Sequence, residues 1–251
     1  MKYAVCIVPV APVRLVAGHR EEMTSQYIFG ETGRIKDSND EGWIWLESTD
    51  DQYSGWCRGN QFMLSENAFP QNKKFTGEWV NDIFINGKKI HLPFASSLSL
   101  LDHSLPGLEI RYQGKIIDAA ATPFHEKNIL KLSSFFLGTG YLWGGKTVFG
   151  IDCSGFVQSV YRLMDIRLMR DANQQVTQGD TVGFLEESQC GDLAFFDDET
   201  GAVVHVGILL STNEIIHSSG NVRIDKIDNE GIVNVDTGLR THRLRTIKRI
   251  C

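Results

Sequence analysis

The chain of 251 residues has no block of lysine and arginine. Its 31 acidic side chains against 25 basic ones leave a formal net charge of -6. A nucleic-acid footprint is missing, and nucleic acid is set aside as a partner. Cys-x-x-Cys and histidine-rich spacings are missing too, so the sequence argues for no zinc site, and neither metal nor cofactor is expected. Without a GxxxxGK[ST] loop, nucleotide chemistry has no support. No apolar run is long enough to span a bilayer. The cysteines Cys6, Cys57, Cys153, Cys190 and Cys251 are odd in number and form no disulfide framework, which favours a reduced protein. The opening "MKYAVCIVPVAPVR" imitates a secretory signal, but Pro9 and Pro12 interrupt its apolar region and no small-x-small cleavage site follows. It reads as an edge strand. A cytoplasmic monomer is expected if the chain is complete, and an exported protein if a leader precedes it.

What is present divides in two. Residues 1 to about 116 hold short apolar stretches broken by turn residues: "YIFGETG", "GWIWLE", "YSGWC", "DIFINGKKIHL" and "LEIRYQGKII". Short strands at close spacing predict small β-barrels, with "NGK" at 86–88 as a hairpin turn. Two modules fit, 1–62 and 63–116, the second inferred mainly from length. From 117 the pattern changes. Thr122-Pro123 signals a helix start, and Ile129, Leu132, Phe135 and Phe136 recur at helical spacing. After the glycine-rich "GTGYLWGGKTVFG", the residues Phe156, Val157, Val160, Leu163 and Met164 form one apolar helix face. Cys153 sits at the N-terminus of that helix, off its buried stripe. Three strands follow, "DLAFF", "VVHVGILL" and "EIIHSSG". Helices followed by antiparallel strands predict an α+β arrangement over 117–251.

Free cysteine is among the most buried residue types, so packing is the plain reading of Cys153. Its position argues for more. A helix N-terminus favours negative charge, lowers a thiol pKa and presents amides to a developing oxyanion. A cysteine nucleophile also needs a histidine base and a group that orients it. His205 and His217 lie on consecutive strands. If "STN" at 211–213 is a three-residue loop, His217 faces Gly207 and becomes the same-face diagonal neighbour of His205. A two-residue loop without a bulge would put the two histidines on opposite faces.

"GYLWGGKTVFGIDCSGFVQSVY", "RDANQQ", "GDLAFF" and "HVGILLSTNEIIHSSGNVRI" together resemble, in order, the motifs of the NlpC-type cell-wall peptidases, which are papain-like cysteine enzymes. The resemblance implies Cys153 as nucleophile, His205 as general base and His217 as its orienting residue. It implies Tyr141 near the oxyanion, and Asp152 and Ser154 in substrate binding. "PVRLVAGHREEMTSQYIFGE" followed by "DQYSGWC" is similar to the first SH3-like module of one branch, the γ-D-glutamyl-L-diamino acid endopeptidases acting on released muropeptides. That likeness implies a murein-derived peptide substrate with a free N-terminal L-alanine, contacted by Glu22 and Tyr53. The sequence departs from the pattern at "VAGH", at Ala172 and at "GTGY". A non-hydrolytic wall-binding protein stays open as an alternative, as does an amidase or acyltransferase of the same fold. The remaining cysteines read as structural, Asp197-Asp198-Glu199 reads as a solvated turn, and His19, His91, His103, His125 and His242 carry no arguable chemistry.

Overall fold

Strands dominate because the chain alternates apolar and polar residues over short stretches and seldom sustains a helical period. A computed structural model describes residues 1–69, 71–102 and 107–251, so His103 lies outside the described residues. The described chain forms two compact units: Met1–Thr122 with Trp143–Val148, and Pro123–Leu142 with Phe149–Cys251.

In the first unit a seven-stranded antiparallel sheet is built from β1 (Tyr3–Cys6), β2 (Val10–Arg14), β3 (Met23–Ile28), β4 (Thr32–Ser38), β5 (Trp43–Ser48), β6 (Ser54–Arg58) and β7 (Phe62–Ser65). Their order is β3-β2-β6-β5-β4-β1-β7. The opening stretch is therefore two interior strands and not one edge strand. Pro9 lies in the break, and Pro12 sits within β2 opposite Gln26 of β3. Ala4, Cys6, Ala11, Val13, Tyr27, Leu46, Cys57 and Phe62 fill the core of this sheet, with Tyr53 packed at its margin. All five cysteines are free.

Two smaller sheets follow. One pairs β8 (Lys74–Thr76) with β12 (Ile116–Asp118); the other orders β10 (Lys88–Pro93), β9 (Val80–Ile85) and β11 (Ile110–Tyr112). Asn86 and Gly87 connect β9 to β10 with φ of 48° and 75°, so the hairpin expected at 86–88 is there as a two-residue turn with Lys88 already in β10. Segment 143–148, which includes β13 (Lys146–Thr147), is held in this unit by three polar contacts. Trp143 Nε1 donates to Glu22 Oε1 at 2.8 Å, the Lys146 amide donates to Gln26 Oε1 at 2.9 Å, and the buried Lys146 ammonium lies 3.2 Å from Glu31.

The second unit has α1 (Glu126–Ser134), β14 (Gly150–Ile151), α2 (Cys153–Arg162), α3 (Ala172–Gln175), β15 (Asp180–Val182), β16 (Leu193–Asp197), β17 (Val203–Ser211), β18 (Glu214–Ser219), β19 (Asn221–Asp228), β20 (Gly231–Val233) and β21 (Arg240–Arg249). Helix α1 starts later than Thr122-Pro123 suggested. His125 is its N-cap and accepts the Lys127 amide, while the Pro123 carbonyl accepts from the Asn128 side chain. The expected antiparallel strands belong to a longer series: β16-β17-β18-β19-β20 closes through β21 back to β16, making a six-stranded barrel with β15 outside β21. Closure removes the exposed edges an open sheet would have. Leu185, Ala194, Phe196, Leu209, Ile215, Ile227, Ile232 and Ile247 form a buried cluster on this barrel. Helix α2 packs on β17 and β18 and is buried from Cys153 through Tyr161. No helix among the described residues is long and apolar enough to cross a membrane.

Candidate active site

Directly opposed residues of an antiparallel pair share a face. The register pairs Phe196 with His205, Gly207 with His217, Ile215 with Asp225 and Ile232 with His242. The histidines and Asp225 therefore share the face that carries Phe196, Ile215 and Ile232. The hairpin achieves the Gly207–His217 pairing differently from the expected three-residue loop: the pairing shifts between Leu209 and Ser211, and only residues 212–213 turn. Gly207 makes room for His217, because a Cβ at that position would lie 2.8 Å from His217 Cβ.

His205 Nε2 and His217 Nδ1 are 2.8 Å apart, and His217 Nε2 is 3.0 Å from Asp225 Oδ2. These contacts fix the tautomers. The Asp225 carboxylate accepts from His217 Nε2–H, so a neutral His217 presents a lone pair at Nδ1. His205 then donates through Nε2–H and keeps its lone pair at Nδ1. Burial alone would raise the Asp225 pKa, but hydrogen bonds from His217, the Val235 amide and Arg223 outweigh it and hold the carboxyl at about 2. For His205, burial and then the neighbouring His217 and His242 keep the imidazole pKa well below its usual value. The base is neutral at pH 7.

Cys153 is the first residue of α2, and the backbone of Ser154 and of Val206 favours the ionised form of its thiol. Val206 follows His205 on β17, the strand on which α2 packs. Two expectations about Cys153 are corrected. It is buried along with the rest of α2, at 6% exposure. Its pKa is raised and not lowered: burial, then the charge of Asp152, push the thiol up to about 12, and the two backbone groups and Arg170 offset only part of that. Desolvation outweighs the helix terminus here.

Asp152 caps α2, its Oδ1 accepting the Gly155 amide at 2.7 Å. Arg170, only 1% exposed, grips the same carboxylate through two nitrogens at 3.0 and 2.5 Å, and Ser154 Oγ at 2.9 Å. Both side chains expected at the substrate are thus engaged by a buried guanidinium. Tyr141 is half-exposed; burial, then the charges of Cys153 and Asp152, push its hydroxyl pKa up to about 12, which keeps it a neutral donor beside the nucleophile. The second unit therefore gathers Cys153, His205, His217, Tyr141, Asp152 and Ser154. Glu22 and Tyr53 belong to the first unit.

Three residues went unassigned from sequence. Asp225 lies two residues past the position opposite His217, and a one-residue turn at Gly220 would have predicted that placement. Arg170 begins the "RDANQQ" motif but had no role there. His242 stacks on His205 with ring centroids 4.2 Å apart. His205, His217 and His242 each bring one ring nitrogen to within 4.8 Å of the others, a cluster the expectation of no metal site did not foresee.

Residues 138–241 match the NlpC/P60 family, and residues 16–61 match the bacterial dipeptidyl-peptidase Sh3 domain. A gamma-D-glutamyl-L-lysine dipeptidyl-peptidase of Bacillus subtilis (strain 168) is 39% identical over 178 residues, covering 66% of this chain and 60% of that protein. A protein of the same name from Bacillus cereus is 33% identical over 120 residues, covering 46% of this chain and 36% of that one. The matches thus span less than two thirds of either relative. A crystal structure of an NlpC/P60 family protein from Bacillus cereus ATCC 10987 has a TM-score of 0.83 over 99% of both chains at 19% identity, which shows a shared fold.

Proposed function

We propose that this chain, which carries an NlpC/P60 domain and a bacterial SH3 domain, is a cysteine peptidase of bacterial cell-wall peptides. The observation that carries the reading is the relay from Asp225 through His217 to His205, on the strand that packs against α2, the helix that Cys153 begins. This is a nucleophile, a base and two orienting groups within one unit. In the proposed reaction His205 Nδ1 takes the thiol proton as sulfur attacks the amide carbonyl. The Ser154 amide at the start of α2 and the Tyr141 hydroxyl donate to the oxyanion. The C–N bond breaks, imidazolium His205 gives its proton to the leaving amine, and a water deprotonated by His205 hydrolyses the thioester.

The finer reading is a papain-like α+β enzyme with modules at 1–62, 63–116 and 117–251. It cuts the γ-D-glutamyl–diamino acid bond of murein peptides that begin with a free L-alanine. The relatives' names support the bond. Mass spectrometry of products from L-Ala-γ-D-Glu-diamino acid peptides, with free and acetylated amino termini, tests both points. Cleavage after the γ-D-glutamyl residue with the free amine alone is the expected result. Equal cleavage of both peptides would remove the requirement for a free terminus. Release of ammonia, or acyl transfer to an added amine without hydrolysis, would favour the amidase or acyltransferase alternative.

A further inference from the structure

His242 has no part in the proposed reaction, yet its ring packs against two members of the relay. It is half-buried on β21, its ring stacked on His205 at 4.2 Å and 25° and edge-on to His217 at 5.7 Å and 86°. One ring nitrogen from each of His205, His217 and His242 lies within 4.8 Å of those from the other two. We propose that these three histidines form a site for one divalent transition cation of the zinc type, and that its occupancy switches the site off.

The ligand chemistry fits. Imidazole nitrogens suit zinc, copper, nickel and cobalt, and three protein ligands leave a position for water. Zinc–nitrogen bonds of about 2.0–2.1 Å place tetrahedral ligand nitrogens about 3.3 Å apart. The His205–His217 contact of 2.8 Å must therefore open by a fraction of an ångström, and His242 must swing in. His242 has the freedom to do so because it is partly exposed, whereas His217 is 1% exposed and tethered. That tether is itself favourable: Asp225 accepts from His217 Nε2, and a carboxylate behind a ligating imidazole fixes its tautomer and raises its basicity. No proton has to be removed from His242. When the cation replaces it, the single hydrogen shared by His205 Nε2 and His217 Nδ1 passes by way of solvent to His205 Nδ1, so both rings ligate as neutral imidazoles. A bound cation would then hold the His205 ring by the nitrogen that His217 otherwise orients, and leave its other nitrogen protonated, with no lone pair to take the thiol proton. The loss of activity rests on the peptidase reading; the binding does not.

The test separates the two. Zinc titrated calorimetrically into the Cys153→Ala variant reads binding without the thiol, and cobalt added to the same variant gives a visible ligand-field spectrum. One tight site is expected, and adding His242→Phe, which keeps a stacked ring without a nitrogen, should weaken it at least tenfold. Equal affinity with and without His242→Phe, or no saturable site in Cys153→Ala, overturns the proposal; the latter would show that zinc needs the thiolate. In the enzyme with Cys153 intact, zinc should inhibit peptide cleavage reversibly to chelator, and His242→Phe should keep turnover while losing at least tenfold in zinc sensitivity. Inhibition equally strong in His242→Phe refutes the switch even if the cation binds.

Discussion

Replacing Arg170 with methionine tests how the nucleophile is held. The change keeps an unbranched side chain and removes the guanidinium, leaving Asp152 inside the second unit without its cation. The pair's side chains are 1% and 7% exposed. Breaking a buried pair by removing one partner costs about 3–5 kcal/mol, because the remaining charge stays desolvated. The Gly155 amide at 2.7 Å and the α2 dipole still favour the carboxylate, which places the expected loss near the lower end, about 3 kcal/mol. Arg170→Met with Asp152→Asn removes both charges and should cost less than the sum of the two single changes by about 2 kcal/mol or more. Tryptophan fluorescence is the wrong probe, since Trp43, Trp45, Trp56, Trp79 and Trp143 all lie in the first unit. Hydrogen exchange of the α2 amides in urea reads the second unit directly. Arg170 also lowers the Cys153 pKa, so the variant's thiol should alkylate more slowly at fixed pH. A loss of stability under about 1 kcal/mol, or single changes that simply add, would refute the view that Asp152 and Arg170 act as one buried unit.

Cys153→Ala should abolish peptide turnover by several orders of magnitude while circular dichroism and urea midpoint stay close to those of the parent; substantial turnover by the folded variant would exclude the nucleophile. His217→Ala removes a hydrogen bond to a ring that becomes charged, worth about 1.5–3 kcal/mol, so kcat should fall by about 10-fold to 150-fold. His217→Asn, which can still bond to His205, should retain more activity, and equal losses in both would assign His217 to packing. With the thiol pKa near 12 and His205 neutral, iodoacetamide alkylation of Cys153 should still accelerate between pH 8 and pH 10; a rate constant flat above pH 7 would mean a resting thiolate.

Local chemistry carried the parts of the fold that sequence disclosed. Asn86-Gly87 was legible because a two-residue hairpin needs two positive φ values and these residues supply them. The His205–His217 register was legible only conditionally, since parity on a strand depends on a loop length that a bulge can alter. The bulge between Leu209 and Ser211 did what a longer loop would have done. Asp225 was hidden by the same uncertainty one hairpin later. The opening strands were misjudged because prolines argue for an edge, whereas a break at Pro9 let both pieces pair on two sides. Barrel closure was not legible at all, because β16 pairs with β21 across the whole of β17 to β20, a long-range pairing with no sequence period of its own.

The raised thiol pKa of Cys153 and the lowered imidazole pKa of His205 have one origin. Each group is buried, and burial penalises any lone charge. A thiolate or an imidazolium alone is disfavoured, but thiolate and imidazolium side by side attract strongly where water is excluded. Proton transfer from Cys153 to His205 therefore creates the two charges together, or not at all. Asp225, held ionised, and His217, which links it to His205, sit where they stabilise the imidazolium once formed. The helix terminus, which from sequence alone predicts a standing thiolate, is better placed to stabilise charge that passes from sulfur to the substrate oxygen. A neutral resting pair leaves the sulfur less open to oxidation and adventitious alkylation, because the thiolate is the reactive form. It would ionise as a substrate carbonyl arrives to accept the negative charge.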